Sequence, residues 1–468
     1  MLGEKKRVVV VGGGITGLTA AYYLQKAAKA SQLPLAVTLI EATPRLGGKI
    51  RTMRKDGFVI ERGPDSFLAR KESVSQLARE AGLGDQLVAS KASRPYVLVN
   101  GKLHAIPAGS MIGVPTKVTP FLATNLFSVA GKLRAGADLF LPRTDFDGDT
   151  SLGGFFRRRL GNEIVENLIE PLLSGIYAGD IDRLSLTATL PQLLTKSGKP
   201  PRSLILSLRQ LSAMLANESG GFLTLRDGLD TLVQGIEKRL EGGSVLKGVR
   251  VKRIDRREDG KFFLTLNDGV KIMCDSVIVT TPHTTLPAMM PQYDFFHELK
   301  KMPAMSVATI AMAFPEEAVP HYADGSGFVV SRNSDVTITA CTCVHKKWPH
   351  TVPAGKALLR CYVGRAGDEA IVDLSDTEIE QIVVEDLKRT LQLSAQPEFT
   401  VVSRWKNAMP QYTIGHKQRI EKIEAHIDKS LSGLFIAGSS FRGVGMPACI
   451  EQGEEAAKKA AAFIQTNN

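Results

Sequence analysis

Only two tryptophans and five cysteines occur in 468 residues. Cys274, Cys341, Cys343, Cys361 and Cys449 are odd in number and scattered, with neither a CxxC pair nor a Cys/His spacing of the zinc type. A disulfide framework and a metal site are therefore not expected, and reduced thiols point to a cytoplasmic protein. No apolar run reaches the roughly 18 residues that a membrane span needs. The longest weakly polar stretch, residues 111–129, is broken by Pro115, Lys117 and Pro120. The opening MLGEKKRVVVVGGG passes from a short charged start straight into a strand, with no secretory apolar segment. Internal repeats and low-complexity segments are missing as well.

Acidic side chains are absent from residues 86–137, which carry Lys91, Arg94, Lys102, Lys117, Lys132 and Arg134. A second acid-free run, 183–217, carries Arg183, Lys196, Lys199, Arg202 and Arg209, within a net charge of +11. No nucleic-acid recognition module or stacking aromatic pattern accompanies this charge, so nucleic acid is not the expected partner. An acidic small substrate or an anionic membrane surface fits better, and a solvated basic face with no special role is the bland alternative.

With 43% hydrophobic and 23% charged residues the chain is ordinary globular material, long enough for two or three domains. Its first strong signal is KRVVVV (Lys6–Val11), a β-branched run suited to a strand buried on both faces. The run ends in Gly12-Gly13-Gly14-Ile15-Thr16-Gly17, and the following LTAAYYLQKAAKA reads as a helix. GxGxxG thus falls on Gly12, Gly14 and Gly17: a tight turn, close approach of backbone to a pyrophosphate, and close packing of helix on strand. The free N–H groups and positive dipole end of that helix favour phosphate. A second strand, 36–40, ends at Glu41, where an acid would bind ribose hydroxyls.

After Glu41 and Ala42 come Arg45, the paired Gly47 and Gly48, and Lys49, a loop able to approach the pyrophosphate, with Arg45 or Lys49 offsetting its charge. The strand 58–62 then leads into Gly63-Pro64-Asp65-Ser66. This order of segments resembles the FAD-binding half of the amine oxidase and protoporphyrinogen oxidase superfamily. Two distant stretches are similar to its other FAD segments. One is KGVRVKRI (247–254), where the resemblance implies that Val251 pairs with the adenine edge. The other is LFIAG (434–438) with Gly443-Val444-Gly445-Met446-Pro447 and a helix at about 448–464. The resemblance places Gly438, Val444, Gly445 and Met446 at the cofactor and that helix N-terminus at the flavin pyrimidine, where negative charge develops on reduction.

The implied fold is a split Rossmann-type FAD-binding domain (α/β) with an α+β remainder: an antiparallel-sheet substrate domain and a helical insertion. We expect 1–70, 222–286 and 404–468 to form the FAD-binding domain. Residues 71–100, 205–221 and 287–403 are expected to form the substrate-binding domain, and 101–204 the helical insertion. FFRRRLGNEIVENLIEPLL has helical apolar spacing, and SVATIAMAF, GFVVSR, VTITACTCV and ALLRCYVGR alternate as strands do.

Within the superfamily the chain is similar, over nearly its whole length, to the oxygen-dependent porphyrinogen oxidases. The motifs carrying this are ERGPDSF (61–67), FFRRRLG (155–161), EPLLSGIYAGD (170–180), Pro410-Gln411-Tyr412 with Gly415-His416, and GVGMPACIEQG. The resemblance is strongest to the soluble Gram-positive branch. It implies oxidation of coproporphyrinogen III to coproporphyrin III with oxygen as acceptor and hydrogen peroxide as product. Each of three rounds would pass a hydride to the flavin, whose chemistry the protein orients. Protoporphyrinogen oxidation as the main activity and a carotenoid-type desaturase are the alternatives, as is a non-catalytic flavin-binding or docking module. Amine oxidases carry a lysine where Thr309 stands and a cage tyrosine where Gly445 stands, so amine oxidation is disfavoured. Pro95-Tyr96 departs from the arginine-aromatic pair of many eukaryotic members, which puts in doubt a substrate contact copied from them.

The FAD is expected to be non-covalent, since no cysteine or histidine sits in a recognisable attachment context. Trp405 matches a position beside it, with core filling as the plain alternative. Lys71, Ile176, Tyr362 and Met446 are candidates for the tetrapyrrole cavity. Lys71 would pair a propionate or be a surface lysine, Ile176 would pack on the macrocycle or in the core, and Tyr362 has a side yet to be fixed. No pairing of residues suggests a general acid or base, and membrane contact is at most peripheral.

Overall fold

A computed structural model of the protein describes residues 5–91, 94–144, 146, 148–195, 197–215, 221–320 and 325–467. Lys196 and the side chain of Arg94, both in the acid-free runs, lie outside this description.

The strand Lys6–Val11 sits at the centre of a five-stranded parallel sheet. Its neighbours are Leu35–Glu41, edged by Val245–Lys247, and on the other side Ser276–Val279, edged by Leu434–Ile436. Val8, Val9 and Val10 have no exposed surface, as expected of a β-branched run covered on both faces. Val8 and Val10 pack with the helix Ile15–Ala30 and the carboxy-terminal helix Met446–Thr466. Val9 and Val11 face the opposite core, built partly from a three-stranded antiparallel sheet, Val251–Arg256, Phe262–Leu266 and Lys271–Cys274. KGVRVKRI closes the strand Val245–Lys247, turns at Gly248, and begins Val251–Arg256.

A seven-stranded sheet forms the second body. Its order is Phe399–Pro410, Ala304–Pro315, Lys356–Val363, Ala340–Cys343, Gly325–Val330, Arg94–Val99, Lys102–Ala105. Pairing is antiparallel except where Gly325–Val330 meets Arg94–Val99 in parallel, so the expected antiparallel sheet is mixed at one junction. The reason is topological: the sheet recruits a strand from the first excursion of the chain. Lys102–Ala105 joins it from the range read as helical insertion, and Phe399–Pro410 runs through the boundary read at 403/404.

The insertion itself is helical: Leu152–Leu160, a π turn at Val165–Ile169, and Glu170–Tyr177. Its core takes Phe155, Phe156, Leu160, Ile164, Leu168 and Leu173. Arg159 is also buried, with its Nε 2.5 Å from Asp138, an ion pair whose side chains are 1% and 0% exposed. The guanidinium also donates to the carbonyl of Pro142 at 2.8 Å, and Asp138 accepts from Ser203 Oγ at 2.6 Å. The carboxylate that ends the acid-free run is thus internal. By contrast Val118, Leu122, Val129, Leu133 and Phe140 are exposed. Among the described residues no helix is long and apolar enough to cross a membrane.

Candidate functional site

The turn after the first strand is packed on every side but one. A side-chain carbon on Gly17 would lie 1.9 Å from the Gly12 carbonyl, which is why helix and strand can meet only at glycine. Gly14, at an ordinary φ of −67°, faces open space with nothing within 4 Å. Beside it starts the helix whose first residues, Ile15 and Thr16, are buried. This is a cradle one side chain would fill, with unpaired helix N–H groups beside it, and it suits a pyrophosphate.

Around that cradle stand the other residues expected from the sequence. Glu41 closes the second strand; it accepts from Gly13 N at 2.6 Å and from Thr43 N and Oγ at 2.8 Å. These bonds fix its carboxylate beside the turn and leave lone pairs for a hydroxyl. Ala42 follows at the surface. The Arg45 guanidinium donates to the carbonyls of Leu46 at 3.0 Å, Gly48 at 2.5 Å and Ile50 at 3.1 Å. Arg45 therefore ties its own loop together. Lys49 reaches across instead, with its Nζ 3.3 Å from Ser439 Oγ, and burial lowers its pKa. Gly48 lies against Gly14, and Gly47 N donates to the Gly13 carbonyl at 2.8 Å.

The segment from Arg62 to Ser66 is held against one face of the seven-stranded sheet. The Arg62 carbonyl accepts from Trp405 Nε1 at 2.8 Å and from Thr309 Oγ at 3.1 Å, while Arg62 Nε donates to Ser403 Oγ at 2.7 Å. The carbonyl of Gly63, before Pro64, accepts from the buried Arg360. Asp65 accepts from Lys347 Nζ at 2.8 Å, Trp348 Nε1 at 3.3 Å and Ser66 Oγ at 2.8 Å. Burial raises the Asp65 pKa, but the Lys347 ammonium and the Arg360 guanidinium outweigh it and hold the carboxyl well below the usual range. Glu61, one step earlier, is pushed up to about 7 by burial, although Leu229 N and Thr52 donate to it.

Arg360, Tyr362 and Thr309 share that sheet face, because Tyr362 is the cross-strand neighbour of Thr309 and lies two residues from Arg360. Tyr362 is half-buried there, with the Arg360 guanidinium 5.0 Å from its ring, while Cys361 points into the core on the other side. The side left open by the sequence is therefore the one that carries the Arg62–Ser66 segment. Lys71 is exposed at the start of the helix Glu72–Glu80, whose Ser73 Oγ lies 3.4 Å from the Pro447 carbonyl, next to Met446. Ile176 is 55% exposed, which removes the core alternative for it. Its helix ends where Ala366 N donates to the Ala178 carbonyl at 3.0 Å, just beyond the strand of Tyr362.

Val251 opens the three-stranded sheet and is buried. Gly438, at φ +120°, begins the last loop and donates to Gln452 at 3.1 Å. That loop passes half-buried Val444 and exposed Gly445 to Met446, which is buried and starts the final helix. Sequence reasoning gave no site role to Arg360, Lys347, Ser439 or Tyr412. Of these only Tyr412 stood in a motif that could have marked it.

Comparison with known proteins agrees along the whole chain. The family described as flavin-containing amine oxidoreductase matches residues 15–461. The coproporphyrinogen III oxidase of Bacillus subtilis (strain 168) is 50% identical, over 98% of this chain and 99% of that one. The protein of the same name from Staphylococcus aureus (strain NCTC 8325 / PS 47) is 41% identical, over 98% and 100%. A crystal structure from Exiguobacterium sp. 255-15, provisionally assigned as a protoporphyrinogen oxidase, superposes with a TM-score of 0.86 at 37% identity, covering 98% of this chain and 99% of that one. The chain thus belongs to the flavin-containing amine oxidoreductase family, as an FAD-dependent oxidase in the group of the coproporphyrinogen III oxidases.

Proposed function

We propose that the protein oxidises coproporphyrinogen III to coproporphyrin III in haem biosynthesis, with oxygen as acceptor and hydrogen peroxide as product. The observation that carries this reading is the end-to-end likeness, at 50% identity, to a relative named for that substrate. FAD, when bound, supplies the two-electron acceptor. The chain's contribution is to hold and orient. Gly12 to Gly17 with Glu41, Gly48 and Lys49 would take the dinucleotide, Val251 the adenine, and Gly438 with Val444, Gly445 and Met446 the flavin end. Gly63 to Ser66 and Trp405 would flank the ring. Lys71, Ile176, Tyr362 and Met446 would line the substrate side. Residues 1–70, 222–286 and 404–468 would form the cofactor-binding domain, 71–100, 205–221 and 287–403 the substrate domain, and 101–204 the helical insertion.

The test is kcat/KM for coproporphyrinogen and protoporphyrinogen on one preparation; a clear preference for the second would reverse the assignment. The unequal charge of the two substrates offers a second test. Lys91, Lys102 and Lys117 are exposed on an acid-free stretch, which raises the local potential, and salt screens that effect. Coproporphyrinogen carries four propionates and protoporphyrinogen two, so added salt is expected to lower kcat/KM more steeply for the former. Lys71→Glu and Arg94→Glu are expected to raise its KM severalfold with FAD content unchanged. Equal salt slopes with silent reversals would leave the stretch a solvated surface.

The attachment of the flavin is open to a simpler measurement. Cys341, Cys361 and Cys449 are all buried; the hydrogen bond with Cys361, and then burial, raise the pKa of Cys341, and burial raises that of Cys449, which keeps both as unreactive thiols. Acid precipitation is expected to release all yellow colour into the supernatant, and flavin kept in the pellet would show a covalent bond. The reading places the enzyme in the cytoplasm, and any lipid contact would be peripheral, at the exposed apolar side chains of residues 118–140.

A further inference from the structure

The motif that the function leaves without a task is Pro410-Gln411-Tyr412 with Gly415-His416. It leaves the long strand Phe399–Pro410 and runs between the helical insertion and the loop before the last helix. On the insertion side its bonds are many. Gln411 Nε2 donates to the Tyr177 carbonyl at 2.9 Å, and Ser185 N donates to the Tyr412 carbonyl at 2.7 Å. Ile414 N donates to the Arg183 carbonyl at 3.1 Å, and Gly415 N to Asp149 at 3.0 Å.

On the other side two buried side chains hold the loop itself. The Tyr412 hydroxyl donates to the Ser439 carbonyl at 2.7 Å and accepts from Gly443 N at 2.7 Å, spanning the loop between two points four residues apart. His416 stacks on the Tyr412 ring with centroids 4.0 Å apart, and its Nε2 donates to the Phe441 carbonyl at 2.8 Å. With Nε2 carrying the proton, Nδ1 is the bare nitrogen, and it is buried with no partner among the described residues. Burial lowers the ring's pKa to about 4, so it works as a neutral donor. Tyr412 is 2% exposed and His416 is 2% exposed, so neither can act on solvent or substrate.

We propose that Tyr412, backed by His416, is a positioning residue for the flavin: it fixes residues 439–443, and through them the start of the final helix, at the distance the cofactor requires. This rests on the reading of Gly438 to Met446 as the flavin-end segment. The physical reason is that this loop contains Gly438 at φ +120° and Gly443 at φ +122°, where the backbone has little stiffness of its own. A hydroxyl bonded at both ends supplies what the glycines lack. Anchoring to Tyr177, Arg183 and Ser185 ties the same loop to the insertion that carries Ile176.

The experiment uses the full-length holoenzyme. Tyr412→Phe removes the hydroxyl and keeps the ring, taking this partner from the half-buried Gly443 N–H and Ser439 carbonyl, a loss that corresponds to about a tenfold change in an equilibrium. The FAD dissociation constant is expected to rise about tenfold, the induced circular dichroism of the bound flavin to change, and its midpoint potential to become more negative as the helix N-terminus moves away. A lower melting temperature with unchanged flavin dissociation constant, dichroism and potential would mean a structural tyrosine only, and would overturn the proposal. Gly445→Gln tests the underlying reading, since a side chain there meets only Pro447 Cδ at 3.7 Å. If Gly445→Gln disturbs the flavin and Tyr412→Phe does not, the proposal fails and the reading stands. If Gly445→Gln leaves the flavin untouched, the reading fails and the proposal with it. Should Tyr412→Phe not fold, His416→Leu carries the same measurements, with His416→Gln restoring the donor toward Phe441. Loss in the first without recovery in the second would also count against the proposal.

Discussion

Gly14→Leu is expected to give a folded but colourless protein. Among the described residues no atom lies within 4 Å of where a Gly14 Cβ would stand, and its φ of −67° suits any residue, so the apoprotein is expected to keep its fold. The leucine occupies the place where backbone would meet pyrophosphate, and FAD affinity should fall by roughly two orders of magnitude or more. Flavin absorbance per mole of purified protein reads the loss, and far-ultraviolet circular dichroism checks the fold. Gly17→Ala is the informative contrast. Its new carbon would stand 1.9 Å from the Gly12 carbonyl, so it should disturb the fold as well as the cofactor. A yellow Gly14→Leu protein would mean that the dinucleotide does not use this turn.

The second large effect lies in the helical segment that follows the acid-free run. Arg159→Leu leaves Asp138 as an unpaired carboxylate with no exposed surface. Removing one partner of a buried pair costs about 3–5 kcal/mol, because the remaining charge has lost both water and its counter-ion. Arg159 also satisfies the carbonyls of Pro142 and Arg202, which the substitution would orphan. Its neighbour Arg158 is exposed, and Arg158→Ala should stay within about 0.5 kcal/mol. Amide exchange across the helices Leu152–Leu160 and Glu170–Tyr177 measures both variants. Equal protection in the two would remove Asp138–Arg159 from the account of the insertion's stability.

What the sequence could reveal followed the distance between interacting residues. Gly12 to Gly17, Glu41 and the helix after them are local, and each announces itself by spacing within a few residues. The Arg360 bond to Gly63 and the Lys347 bond to Asp65 join positions 297 and 282 residues apart, and periodicity carries no trace of them. Tyr362 shows the middle case. Alternation fixed that it and Cys361 face opposite ways, but only the neighbour across the sheet, Thr309, tells which face meets the Arg62–Ser66 segment. Arg45 carries a tie that spacing does not announce: besides the help for a pyrophosphate that a charge near a glycine pair suggests, its guanidinium donates to three carbonyls of its own loop. The parallel pairing of Arg94–Val99 with Gly325–Val330 escaped because the two strands lie far apart along the chain.

The central place of Lys6–Val11 in the parallel sheet has a consequence in time. The strand is made well before its second neighbour, Ser276–Val279, and before the far edge, Leu434–Ile436. At 5–20 residues per second the ribosome needs roughly 15 to 50 seconds to travel from the first strand to the fourth. Throughout that interval a strand with four consecutive valines has one edge of unpaired amides and carbonyls open to any passing chain, an arrangement prone to intermolecular pairing. The nascent amino-terminal half is therefore the part of this protein most in need of protection while the rest of the sheet is still being made.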